Sequence, residues 1–236
     1  MNFYELKCKV YIKQDIKFFD VYEHISKYIS FCIAKDREFY YLHKSNSFKF
    51  YTFDSFYPIS KDKIYKKDNL YSFRIRTISK KLADFLNTNL KKNINNSSFL
   101  VVDIMIDTVL YSFVKELYTL TPTIITTKDL TYWTIQKNGD INLLIQSLHN
   151  NLVKKYITYY KKLIKTDYNF IKSLELKNKE PVVIKITKNS KSIKLFGNKF
   201  RIIPNDDELS QKLAFLAIGA GLGEKNSYGG GFCIYK

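Results

Sequence analysis

Histidine is scarce in this 236-residue chain, so each of its three can be weighed for acid–base work. His43 has Lys44 beside it and Lys49 six residues on, in a Ser- and Asn-containing stretch that reads as a polar loop. An imidazole with a pKa of about 6.5 exchanges protons at neutral pH. A nearby lysine can stabilise negative charge developing on a phosphate. Taken alone, His43 reads as an ordinary exposed histidine. His24 stands one helical turn from Tyr28, a spacing that suits aromatic packing better than a reacting pair. His149 falls among asparagines on a long helical pattern and reads as surface.

The sharpest local feature is a glycine loop near the C-terminus. Gly219-Ala220-Gly221-Leu222-Gly223 leads through Glu224-Lys225-Asn226-Ser227-Tyr228 into Gly229-Gly230-Gly231. Such a run forces positive φ or close backbone approach. Its N–H groups can form an anion-binding concavity to which Lys225 adds charge. A Walker loop is excluded, because Phe232 stands where a Lys-Ser/Thr pair is needed. A dinucleotide fingerprint is excluded as well, because this loop runs from a helix into a strand. The alternative is close packing of a helix end against a sheet. No Cys or His pair has ligand spacing, so no metal and no cofactor are expected. There is no Gly-x-Ser-x-Gly elbow either.

Charge points to the partner. Thirty-nine Lys+Arg against 22 Asp+Glu give +17, an imbalance that usually meets a polyanion, most often nucleic acid. Codon bias explains why only four of the basic residues are arginine, but not the deficit of acids. Arg74 and Arg76 alternate with Phe73, Ile75 and Thr77, which makes one strand face cationic. Lys185, Lys188, Lys191, Lys194, Lys199 and Arg201 stud a hairpin expected over 182–203. A basic hairpin on an α+β sheet is a common RNA platform, although the RNP1 aromatic motif is missing. Three distant cysteines argue for a reducing compartment. The N-terminus shows no secretory signal, and the apolar run 213–223 is too short to span a bilayer. The chain reads as cytoplasmic, with no membrane partner.

The elements that must position these groups can be placed by periodicity. Phe3–Ile12 reads as a strand and 18–34 as a helix with Val21, Tyr22, Ile25, Ile29 and Cys32 on its apolar face. Strands are expected at 48–53, 71–78 and 99–113. A helix capped by Ser79 runs between the last two. The second half repeats the order: strand 122–127, helix 141–164, hairpin 182–187 with 194–203, helix 208–218, strand 232–235. That is β-α-β-β-α-β twice: an α+β chain of two tandem ferredoxin-like (RRM-like) domains, 1–120 and 121–236, with a C-terminal glycine-rich loop.

These residues together resemble the CRISPR repeat-processing endoribonucleases, the sixth numbered family of CRISPR-associated (Cas) proteins. That family's loop has the form Gly-h-Gly, five residues, Gly-h-Gly, where h is apolar. Here Gly221-Leu222-Gly223, residues 224–228 and Gly229-Gly230-Gly231 follow it, with Gly230 departing from the pattern and expected to loosen the packing. Several archaeal-type members place a catalytic Tyr late on the first helix, a His 15 residues later and a Lys six after that. Tyr28, His43 and Lys49 stand at those spacings. Pro122 and its surroundings are similar to the start of the family's second domain.

The resemblance implies metal-independent cleavage of CRISPR precursor RNA within each repeat by 2′-hydroxyl attack, leaving 2′,3′-cyclic phosphate and 5′-hydroxyl ends. It implies His43 as general base or acid, Tyr28 as its partner and Lys49 as charge stabiliser. The partner it implies is CRISPR repeat RNA, expected to be held by the hairpin, Arg74, Arg76 and the loop residues Gly221, Gly223, Lys225, Asn226, Ser227, Gly229 and Gly231. Dimerisation and association with other CRISPR effector-complex subunits stay open. So does the alternative of a guide-RNA-holding subunit without catalysis.

Overall fold

The first strand, β1 (Asn2–Ile12), shows the alternation in its sequence: Leu6, Cys8, Val10 and Ile12 are buried, while Lys7 and Lys9 are exposed. The computed structural model containing it describes residues 1–236 except 46, 138, 166, 167 and 189, and except the side chains of 42–44. After β1 come β2 (Ile16–Lys17), α1 (Val21–Ala34), α2 (Arg37–Lys44), β3 (Tyr51–Phe53), β4 (Ile64–Tyr65), β5 (Leu70–Thr77), α3 (Lys80–Asn89) and β6 (Phe99–Leu110). The second half holds β7 (Leu117–Thr119), α4 (Ile141–Tyr160), β8 (Ile171–Leu176), β9 (Val182–Lys188), β10 (Lys191–Gly197), β11 (Phe200–Pro204), α5 (Glu208–Ala220) and β12 (Cys233–Tyr235).

Two four-stranded antiparallel sheets result, ordered β3-β5-β1-β6 and β12-β7-β11-β8. In each, the first strand of the unit lies between the third and the fourth, which is the ferredoxin-like order seen twice. Side-chain caps set the helix starts. Ser79 accepts from Leu82 N–H at 3.2 Å, Asp140 from Leu143 N–H and Asp207 from Ser210 N–H, both at 3.0 Å. Among the described residues, no helix is long and apolar enough to cross a membrane.

Several sequence expectations are corrected. β7 pairs with β11 and β12, so the chain crosses to the second sheet between residues 110 and 117 and not at 120/121. Residues 122–127 form no ladder; they make isolated bridges to Asn198, Glu224 and Tyr132 and act as a strap under the glycine loop. The stretch 194–203 is two strands. β10 closes the hairpin with β9, whereas β11 turns back into the second sheet beside β8, a strand the sequence reading missed. Lys199 and Arg201 therefore lie off the hairpin.

The two units interlock. Phe3 and Ile78 of the first unit pack in the second unit's core, with the Phe3 and Phe215 rings 5.3 Å apart. In return, Ile184, Ile186 and Leu195 of the β9–β10 hairpin pack in the core that includes Val21 and Ile25 of α1. Thr187 N–H donates to Glu23 of α1 at 3.0 Å.

Candidate functional site

α5 is apolar on all sides and fully buried over its last turns, so it drives the glycine loop into the junction between the units. Gly221 ends the helix at φ +83°, where a Cβ would sit 2.4 Å from the Asn226 side chain. Gly231 is at φ +69° with a would-be Cβ 1.8 Å from Leu222 O, so only glycine fits. Asn226 Nδ2 closes the loop across its own neck, donating to Leu222 O at 3.2 Å and Gly230 O at 2.9 Å. Gly230 is buried, with its N–H on Lys225 O and its carbonyl also accepting from Thr52 Oγ1. The departure from the family pattern therefore does not loosen the loop.

The residue that holds the loop is one the sequence reading missed. Lys155 extends from α4 with 1% of its surface exposed, and its Nζ donates to Gly221 O, Gly223 O and Asn226 Oδ1 at 2.7, 2.8 and 2.7 Å. An ammonium has three donors, and all three are matched here. Burial pushes this group down to about 7. The available signal was its place on the stripe Leu144, Leu148, Leu152, Lys155, which is otherwise the buried face of α4. Glu224 ties the loop to the strap, accepting from Thr126 N–H and Oγ1.

Across the junction, Ser26 Oγ of α1 donates to Ser227 O at 2.9 Å. The backbone N–H groups of Lys225, Asn226 and Ser227 have no acceptor among the described residues, and the Lys225 side chain is exposed. Successive free N–H groups beside a lysine suit an anionic oxygen. The first-unit segment carrying Lys49 runs along the same junction. The Phe48 ring lies 5.8 Å from Lys155 Nζ, and Phe50 packs on Tyr159 of α4 at 5.1 Å.

His43 lies in the last turn of α2 and not in a loop. Asp36 caps that helix by accepting from Glu38 and Phe39 N–H, and Phe39 packs on Phe85 of α3. The His43 side chain lies outside the described residues. Lys49 is half-buried, and its Nζ donates to Ser45 O at 2.6 Å, at the end of α2. Burial lowers its pKa. The structure thus brings Lys49 to the end of the helix that bears His43.

Tyr28 sits in the core of the first unit. It is 1% exposed, stacked on Phe99 at 4.5 Å, and its hydroxyl donates to Leu90 O at 2.9 Å and accepts from Val101 N–H at 3.3 Å. Burial raises its pKa to about 12. Position 28 continues the stripe Val21, Ile25, Cys32, and the core claims it. His149 is likewise buried and accepts from Phe170 N–H, contrary to the surface reading.

Arg74 and Arg76 do not present a free cationic face. Arg76 is 4% exposed, paired with Glu5 at 2.6 Å, and donates to Cys233 O across the unit junction. Arg74 is held by the fully buried Asp54 at 2.7 Å, and both guanidiniums lie over Phe232. Glu5 stands opposite Arg76 in the β1–β5 register, which is why the charge is cancelled. Arg201 is clamped by Glu116 and Glu175, and Lys199 is half-buried. Lys185, Lys188, Lys191 and Lys194 are exposed. Arg74→Gln is therefore expected to leave the slope of log RNA affinity against log salt at the wild-type value. A slope lower by about 0.7 would make it a phosphate contact.

Comparison with known proteins agrees with this architecture. The curated CRISPR-associated endoribonuclease Cas6 2 of Methanocaldococcus jannaschii is 26% identical over 246 residues, covering 96% of this chain and 97% of that protein. A solved structure described as CRISPR associated protein Cas6 superposes with a TM-score of 0.70 at 21% identity, covering 99% of both chains. The product of a Cas6-related gene from Pyrococcus furiosus superposes at 0.69 with 18% identity over 98% of each. Another, titled as a RAMP protein binding different RNA substrates, also gives 0.69 at 18% identity and 99% coverage of both. The family described as CRISPR associated protein Cas6, C-terminal, matches residues 111–234, from the crossover between the sheets into β12, and the chain belongs to that family.

Proposed function

We infer that this protein is a metal-independent endoribonuclease that cuts CRISPR precursor RNA within its repeats. The observation that carries the reading is the junction itself. Lys49 is tied to the end of the His43 helix, and the glycine loop beside the same segment presents three N–H groups and Lys225. A 2′-hydroxyl attacks the adjacent phosphorus, the bond to the 5′-oxygen breaks, and a 2′,3′-cyclic phosphate and a 5′-hydroxyl remain. His43 moves the proton from the nucleophile or to the leaving oxygen, and Lys49 offsets charge on the phosphorane. Gly221, Gly223, Gly229 and Gly231 shape the loop, and Lys225, Asn226 and Ser227 face the RNA backbone. Tyr28 serves as a core residue, its hydroxyl linking α1 to Leu90 and β6. The three cysteines are buried and free, in keeping with work in the cytoplasm.

The hairpin supports a polyanionic partner. Lys185 stands directly opposite Lys194, and Lys188 opposite Lys191. Like charges in register cost roughly 0.2–1 kcal/mol per pair, a cost that RNA phosphates would offset. Lys185→Ala or Lys194→Ala is expected to lower the salt slope of repeat-RNA binding by roughly 0.7 each while leaving thermal stability equal or slightly higher. Unchanged slopes in a filter-binding titration would remove the hairpin from the RNA path.

The buried Tyr28 hydroxyl favours a second reading, a subunit that holds guide RNA without cutting it. Incubation with repeat RNA separates the two. The endonuclease cuts at one phosphodiester and spares an unrelated RNA of equal length; the holding subunit binds the repeat and leaves it whole.

A further inference from the structure

Outside the junction, a pocket of about 480 Å³ opens at the base of the hairpin, lined by Thr131, Tyr132, Thr134, Lys137, Pro181 and Phe196. We propose that this pocket takes one unpaired nucleobase of the bound RNA, stacked on the platform of the Tyr132 and Phe196 rings. The proposal rests on the RNA-binding reading above and adds a base-recognition site to it.

The geometry commits the pocket to that occupant. Phe196 belongs to the polar face of β10. It is paired with Val183, and the next same-face pair along the hairpin is Lys194 with Lys185. An aromatic ring on a hairpin's outward face would ordinarily be a liability. Here it is half-buried and faces Tyr132, with ring centroids 6.3 Å apart and planes at 43°. The rings are tilted, both line the pocket, and the volume suits a base with its sugar. Charged residues lie outward along the same face, and Lys137 is exposed at the rim. A lysine track that follows phosphates beside an aromatic platform is how single-stranded nucleic acid is gripped.

The pocket is also joined to the loop. Tyr132 bridges Thr126, whose hydroxyl donates to Glu224 at 2.7 Å. Burial and the Glu224 carboxylate both raise the Tyr132 phenol, so the ring stays neutral. A base seated here would lie between the hairpin lysines and the phosphate-facing turn, which suits a strand passing from one to the other. Thr131 and Thr134 complete the pocket wall, their hydroxyls bonded to Thr127 and Asp129 and to Lys137 N–H.

The test is an abasic scan. Repeat RNA carrying 2′-deoxy at the cleaved nucleotide, so that binding alone is read, is titrated with single abasic sites walked along its length. Wild type is expected to lose about 5- to 100-fold in affinity at one or two positions. The Tyr132→Leu/Phe196→Leu double variant keeps apolar volume and loses the π faces. It is expected to bind intact RNA more weakly by the same factor and to ignore those abasic sites. Tyr132→Phe with Phe196→Tyr should behave as wild type. If wild type fails to bind the repeat at all, the RNA reading falls and this proposal with it. If wild type binds but the double variant keeps the same abasic sensitivity, the pocket proposal alone is overturned. Thermal midpoints of the variants within a few degrees of wild type establish that a change in binding reports the pocket.

Discussion

His43→Ala should slow single-turnover cleavage of repeat RNA by roughly 10²- to 10⁴-fold, the range for loss of a general acid or base, while the dissociation constant changes less than threefold. The split follows from position. His43 sits at the end of α2, whereas the groups proposed to bind RNA lie on the glycine loop and the hairpin. The Tyr28 hydroxyl donates to Leu90 O and accepts from Val101 N–H, a pair of bonds that ties α1 to the first unit's core. Tyr28→Phe is then expected to lower stability by about 1 kcal/mol and to spare the chemical rate. A Tyr28→Phe rate as low as that of His43→Ala would return the hydroxyl to the reaction.

Lys155→Met should destabilise the protein by about 3 kcal/mol or more, because three buried acceptors lose their donors at about 1–3 kcal/mol each. Removing a buried ammonium also removes its desolvation cost, and swaps of whole buried ion pairs for apolar groups can be neutral. Here only one side of the contact goes. Gly221 O, Gly223 O and Asn226 Oδ1 stay behind methyl-sized atoms, so the stranded acceptors outweigh the relief. For a chain of this length that is a fall of about 6–12 °C in midpoint. The loop should also loosen, with weaker RNA binding than the stability loss alone explains. The effect depends on pH in a definite direction. An ordinary lysine titrates near 10.5 and this one about 7, so between those values the unfolded chain binds more protons. Wild-type stability relative to the methionine variant should therefore grow as pH rises from 7 toward 10 and level off below 7. A variant as stable as wild type would show that Lys155 does not hold the loop, whereas a difference flat with pH would show that its three acceptors keep the buried ammonium charged.

Much of this was legible beforehand because it follows from periodicity and from backbone necessity. The alternation in 3–12, the Ser79 cap and the 208–218 helix place the sheets and helices. Six glycines within 219–231 announce a loop that only glycine can build. Partners were not legible. Arg74 and Arg76 look like a cationic face until the register sets Glu5 opposite Arg76 and brings Asp54 to Arg74. Lys155 is one lysine among many, beside Lys154, and only its helical phase marks it as buried. Tyr28 matches a spacing of family residues but also sits on an apolar stripe, and the core had the stronger claim. Residues 122–127 look like a strand because they are β-branched. Their backbone partners are a loop and a strand end, which no periodicity encodes.

The most direct test of the account is single-turnover incubation of the CRISPR repeat RNA from the source genome with wild-type protein in EDTA, followed by end-group analysis. The expected result is one cut, a 2′,3′-cyclic phosphate on the upstream fragment, a 5′-hydroxyl on the downstream one, and no cut when the nucleotide at that site is 2′-deoxy. Tight binding with intact RNA, or a cut that survives 2′-deoxy substitution, would contradict it.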